Sequence, residues 1–150
     1  MERGIFLEPF ILKKYNLEKN TNFTKPQYVT LPMEDCKLAG QCDGKDCYEI
    51  VEIKTRIKIG VTDADHCQVQ CYMEMYGAER CRFIELNQEG VLTETLIERE
   101  PEEWKEIVKA IKGFMYDAHN LRPEEMSETN SLRQDISKTG ILKEEEASEM

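Results

Sequence analysis

A mixed fold, α/β or α+β, is predicted by three features of this 150-residue chain. A central segment alternates apolar and charged residues with the two-residue period of a strand. Two other segments repeat apolar residues with the period of a helix, and a pair of short apolar runs flanks a hairpin signal. Helices and strands interleave along the chain, which is the order expected of a small mixed sheet flanked by helices.

Residues 5–15 read as an opening helix, with Pro9 expected in its first turn, where a missing N–H costs little. Residues 16–25, rich in Asn, Thr and Lys, form a loop. Residues 28–31 are a short extended segment ended by Pro32, and a turn is expected across residues 40–46. Residues 48–59 are the clearest strand: Val51, Ile53, Ile57 and Ile59 share one parity, and Glu52, Lys54, Arg56 and Lys58 share the other. After Gly60, Asp63 or Asp65 caps a helix to Tyr76, in which Val69, Tyr72, Met73 and Tyr76 form an i, i+3, i+4, i+7 stripe. Gly77 suits the left-handed stop that follows. Residues 81–86 and 91–97 are strands joined through Asn87-Gln88-Glu89-Gly90. Pro101 opens a last helix whose expected buried face is Trp104, Ile107, Val108, Ile111, Phe114, Met115 and Ala118.

Composition narrows the function. The chain is 40% hydrophobic, enough for one domain with a real core. No apolar run approaches the roughly 20 residues of a spanning helix, so no membrane partner is expected. The opening residues lack the pattern of a secretory leader, and an intracellular location is expected, in the cytoplasm or, in a eukaryotic host, the nucleus. In such a compartment the six cysteines are free thiols, and their spacing contains no Cys-x-x-Cys of the kind zinc sites use. A net charge of −10 argues against loose electrostatic coating of nucleic acid, but not against an enzyme whose acidic site holds metal ions. Residues 120–150 hold eight acids, four bases and no aromatic residue, so they are expected to form a flexible acidic tail behind a folded unit of residues 1–119.

Strand alternation is where chemistry enters. Glu52 and Lys54, two residues apart, project from one side of the same strand, presenting a carboxylate beside an ammonium on a rigid support. Metal-assisted phosphodiester hydrolysis needs that combination: an acid to hold a hard cation and a base or cation to position water. Asp43-Gly44 lies nine residues upstream of Glu52 in a turn that feeds the strand. Taken singly, Glu-x-Lys also fits an ordinary surface pair and Asp43-Gly44 an ordinary hairpin turn.

Together, Asp43-Gly44 and Val51-Glu52-Ile53-Lys54 resemble the D…(D/E)-x-K signature of the PD-(D/E)XK nuclease superfamily. The stretch from His66 to Met73 is similar to the Gln-Val-Gln helix of the phage lambda exonuclease and YqaJ-like viral recombinase family. Arg3-Gly4 with Glu8-Pro9 resembles that group's G-x-x-x-E helix. The resemblance implies a PD-(D/E)XK core and an Mg²⁺-dependent (or Mn²⁺-dependent) exonuclease acting at double-stranded DNA ends in viral or phage-type recombination or repair. It implies metal ligation by Asp43, Glu52 and the Ile53 carbonyl, with Glu8 at a second ion. Lys54 would orient water and stabilise charge, and Gln68 would sit beside the site. Arg56 and Lys58, continuing the Glu52 side of the strand, are candidate DNA contacts. A single-strand annealing protein is the expected protein partner. An endonuclease or junction resolvase of the same fold fits the same residues, as does a non-catalytic module that binds a recombination partner.

Overall fold

The structure, a computed structural model, describes residues 2–120, with side chains from residue 7 onward. The expected acidic tail thus lies outside the described residues, apart from Asn120.

The chain opens with helix α1 (Glu2–Lys19), longer than its periodicity suggests, and Pro9 falls well inside it rather than in its first turn. A proline there removes one helical hydrogen bond. Its exposed ring faces away from the core, while Ile11, Leu12 and Tyr15 on the opposite side are buried. Strand β1 (Val29–Pro32) pairs antiparallel with β2 (Lys37–Gly40) in a separate two-stranded sheet. Strand β3 (Gly44–Lys45) pairs antiparallel with β4 (Glu49–Thr55), so the turn expected across 40–46 is instead the end of one strand and the whole of another. The actual turn lies at Asp46, whose carboxylate accepts the amides of Tyr48 and Glu49, both at 2.8 Å.

Helix α2 (Asp63–Tyr76) carries the chain across to β5 (Arg80–Leu86), which runs parallel to β4 and forms a hairpin with β6 (Leu92–Glu98). The main sheet has the order β3-β4-β5-β6. Helix α3 (Pro101–Asn120) closes the described chain. The cap of α2 is Thr62 rather than Asp63 or Asp65. Asp65 completes a capping box from the third helical position, its amide bonding the Thr62 hydroxyl and its carboxylate accepting the Thr62 amide. Gly77 adopts the expected left-handed stop, with φ 69°.

Two layers of core enclose the sheet. On one side α2 packs Val69, Tyr72 and Met73 against Ile50, Cys81, Phe83 and Ile97. On the other α1 packs Ile11, Leu12 and Tyr15, with Phe23, against Val51, Ile53 and Ile84. Strand β4 is therefore buried on both faces, as central strands of parallel pairs are. It stops at Thr55, four residues short of expectation, because the chain turns away once the Arg56 amide has bonded the Leu86 carbonyl at the end of β5. Ile57, of one parity with buried Val51 and Ile53, lies past the strand end and is 78% exposed. The apolar stripe of α3 faces the domain as its spacing predicts, yet none of its residues is fully buried. All six cysteines are unbridged.

Candidate active site

The central strand positions the candidate site. Glu52 and Lys54 point to the α2 side of β4. Glu52 is 1% exposed, and the Lys54 ammonium lies 3.7 Å from its carboxylate. The Lys54 side chain keeps 29% of its surface in solvent, so one end of this pair is buried and the other is open to an incoming ligand.

Asp43 is brought alongside by the short antiparallel pairing of β3. Its amide bonds the Val51 carbonyl at 3.1 Å, and its carboxylate accepts the Ile53 amide at 2.8 Å. Both bonds hold Asp43, itself 5% exposed, against the residues that flank Glu52. Gly44 makes this approach feasible. A β-carbon there would lie 3.0 Å from Leu12 and 3.3 Å from Val51, so a side chain would push β3 off α1 and β4.

Gln68, 3% exposed, enters from α2 beside Tyr72. Burial drives the Tyr72 hydroxyl far above its usual range; Glu52 and Asp43 push it further, while the Gln68 amide acts in the opposite sense. The Cys81 thiol is likewise raised by burial, then by Glu52, Cys42 and Asp43. Asp43 and Glu52 both act on the Tyr72 hydroxyl, which the Gln68 side chain also meets. Tyr72 was legible in the sequence only as a core residue; that its hydroxyl lies within electrostatic reach of the acids is a tertiary fact. Gly40 gives its ring room, since a β-carbon there would come within 2.9 Å of it.

Glu8, half-buried on α1, joins through a cleft of about 610 Å³ that it lines together with Asp43. Lys13, Asn16, Phe23 and Lys25 form part of the same wall. Asn16 braces this cleft by donating to the Phe23 carbonyl at 2.8 Å and accepting the Thr21 hydroxyl and Phe23 amide. Lys13 and Asn16 on α1, with Asn20 just past its end, recur at i+3 and i+4, a polar stripe whose spacing was available in the sequence and was missed.

Strand β4 ends at Thr55, yet Arg56 stays on the Glu52 side, where its guanidinium is taken up by protein partners. Arg56 forms a bidentate pair with Asp65 at 2.7 and 3.0 Å, lies 3.6 Å from Glu85, and stacks over Phe83. Burial pushes the Asp65 carboxyl up, but the Arg56 and Thr62 bonds outweigh it and hold the group below its usual range. Lys58 is exposed beyond the strand end. His66, two residues before Gln68 on α2, turns the other way, its Nδ1 lying 2.6 Å from a Glu103 carboxylate oxygen.

The structure therefore brings together Asp43, Glu52, Lys54 and Gln68, and connects Glu8 to Asp43 through a shared cleft. The donors are hard oxygens, the class that Mg²⁺ and Mn²⁺ prefer over softer metals. No helix among the described residues is long and apolar enough to cross a membrane.

No family model matches the chain, and no curated protein matches it in sequence. Solved structures do. An alkaline exonuclease (LHK-Exo) from Laribacter hongkongensis superposes with a TM-score of 0.60 at 20% identity, over 92% of this chain and 74% of that one. LHK-Exo in complex with dAMP gives 0.65 at 21% identity over the same shares. A phage related exonuclease from Haemophilus somnus gives 0.55 at 15%, over 72% of this chain and 65% of its own. The small mixed sheet with flanking helices is the fold of these exonucleases, in agreement with the fold expected from the motifs.

Proposed function

We propose that this chain is a divalent-metal-dependent DNA nuclease, an exonuclease acting at ends of duplex DNA in viral or phage-type recombination or repair. The observation that carries the reading is the Asp43 carboxylate pinned by the Ile53 amide beside buried Glu52, with Lys54 3.7 Å from Glu52 and open to solvent. The exonuclease fold adds support. Asp43 and Glu52, with the Ile53 carbonyl, would hold an Mg²⁺ or Mn²⁺ ion, and Glu8 would approach a second from the shared cleft. When bound, such an ion supplies Lewis acidity toward the scissile phosphate.

The chain's own residues do the rest. Lys54, on a rigid strand, orients water for in-line attack and stabilises the charge that grows on the phosphoryl oxygens. The Gln68 amide, held against Tyr72, presents a polar group to the phosphate or the water. Lys13 and Lys25 in the cleft, with Lys58 beyond the strand, contact the DNA backbone, local positive charge on a chain of net −10. Arg56 positions α2 through Asp65 and touches no substrate. The catalytic unit spans residues 1–119; a single-strand annealing protein that loads onto the product strand is the fitting partner.

The test is hydrolysis of linear duplex DNA, labelled separately at each 5′ end and internally, with Mg²⁺, Mn²⁺ or EDTA, for the native chain and Glu52→Gln. Metal-dependent release of nucleotides from an end, absent in the folded variant, is the expected result. Internal cuts would convert the reading to an endonuclease, and activity that survives in Glu52→Gln would overturn the assignment of the site.

A further inference from the structure

We propose that His66, Glu100 and Glu103 form a second metal site, separate from the acids of β3 and β4, which takes a zinc-class dication and fastens the start of α2 to the start of α3. One donor atom from each residue lies within 4.8 Å of the other two, so a single ion with bonds of about 2.0–2.2 Å reaches all three after small side-chain movements. Glu100 and Glu103, three apart at the head of α3, face the same side, and His66 enters from the first turn of α2. The imidazole distinguishes this set from an acidic surface patch: together with carboxylates it suits zinc and its neighbours, whereas the hard-oxygen set around Glu52 suits magnesium.

The frame is rigid before any ion arrives. Gln70, 1% exposed and one turn beyond His66, accepts the Glu100 amide at 3.0 Å and donates to the Glu98 carbonyl at 2.9 Å. A buried side chain of α2 thereby grips the backbone that carries Glu100. The His66 amide makes an early helical bond of α2 to Thr62, and the Trp104 amide makes one of α3 to Glu100. Cys67 adds a soft donor close by: its thiol bonds that of Cys71 and is within electrostatic reach of both His66 and Glu103. Helix α3 has no fully buried residue, and an ion at its first turn would add to the Gln70 bonds that hold it to α2.

The titration uses the full chain carrying Asp43→Asn and Glu52→Gln, so that its outcome is independent of the nuclease reading. Co²⁺ serves as the optical probe. One equivalent is expected to bind with visible ligand-field absorption, to be displaced by Zn²⁺ and not by Mg²⁺, and Zn²⁺ is expected to raise the thermal midpoint by about 5 °C or more. Adding His66→Asn should weaken uptake at least tenfold and abolish the thermal shift. If that variant folds poorly, exposed Glu100→Gln carries the same expectation. Co²⁺ uptake unchanged by these substitutions, or none at micromolar concentration in the parent, would overturn the site.

Discussion

At the scale of single residues, the pairing of Glu52 with Lys54 sets the most direct expectation. The lysine keeps one end in solvent and lies 3.7 Å from a buried carboxylate, so replacing it removes a charge where substrate arrives while leaving the core intact. Lys54→Met is expected to lower kcat by about 10²- to 10³-fold, the usual cost of losing one group that stabilises transition-state charge. KM and the thermal midpoint should change little. Single-turnover release of labelled nucleotide, beside a melting curve, measures both; a large fall in the midpoint with kcat preserved would make Lys54 a structural residue. The side on which Glu52 and Lys54 project was legible because a strand's period is two, whatever packs on it. What holds Asp43 was not: its bond to the Ile53 amide joins residues ten apart across a two-residue strand too short to leave a pattern. Arg56 shows the same divide between side and partner. The period placed it on the side of Lys54, where it lies, but could not show that Asp65 of α2 takes its guanidinium.

Among the elements, β4 and β5 are locked on their α1 side by a charged network. Glu49 accepts Arg82 through both carboxylate oxygens, at 2.9 and 3.0 Å, and Arg80 at 2.9 Å. Arg82 continues to the Tyr15 hydroxyl at 2.7 Å, which donates to Glu94 at 2.8 Å, so α1, β4, β5 and β6 meet in one set of bonds. The Arg82 bond, aided by Arg80 and opposed by burial, lowers the Glu49 pKa from 4.5 to about 2. A depressed folded-state pKa contributes stability that is complete above the unfolded value near 4.5 and is lost as pH falls toward 2. The depression corresponds to roughly 3 kcal/mol. Urea denaturation of Glu49→Gln is therefore expected to show a deficit of about 2–3 kcal/mol at pH 7 that shrinks between pH 5 and pH 2. A deficit that is constant across that range would mean the network acts by shape alone. Elements with a strong local signal were legible here: the α2 stripe, its Gly77 stop and the β5–β6 hairpin. The β2 and β3 strands were hidden in a Gly-rich stretch, because their partners are set by tertiary pairing. The buried face predicted for α3 was the right face but not the right depth, since periodicity shows which side turns inward and says nothing of how much lies opposite.

For the molecule as a whole, charge distribution matters more than its total. A net of −10 gives DNA no general attraction, so binding must depend on a few local cations. Lys13 and Lys25 line the cleft that also contains Glu8 and Asp43, and they are the cations placed to meet a backbone entering it. Asn16 draws the loop after α1 back onto the helix, and paired bonds between Thr24 and Lys45 tie it to β3, so the shape of the cleft could not be read from residues 16–25 alone. Each phosphate neutralised by a lysine releases condensed counterions, and the logarithm of affinity falls with that of salt by about 0.9 per duplex contact, or about 0.7 on a single strand. Lys13→Gln with Lys25→Gln should thus weaken DNA binding at low salt and flatten the salt slope by about 1.4 to 1.8. Because neither lysine touches the reacting phosphate in this reading, KM should rise while kcat stays within about twofold. Fluorescence anisotropy with a labelled duplex between 50 and 200 mM salt measures the slope, using Glu52→Gln as background to prevent cleavage. An unchanged slope would move the DNA path off this cleft and toward exposed Lys58 at the end of β4, leaving the cleft wall to shape the approach to Asp43 and not to hold the strand.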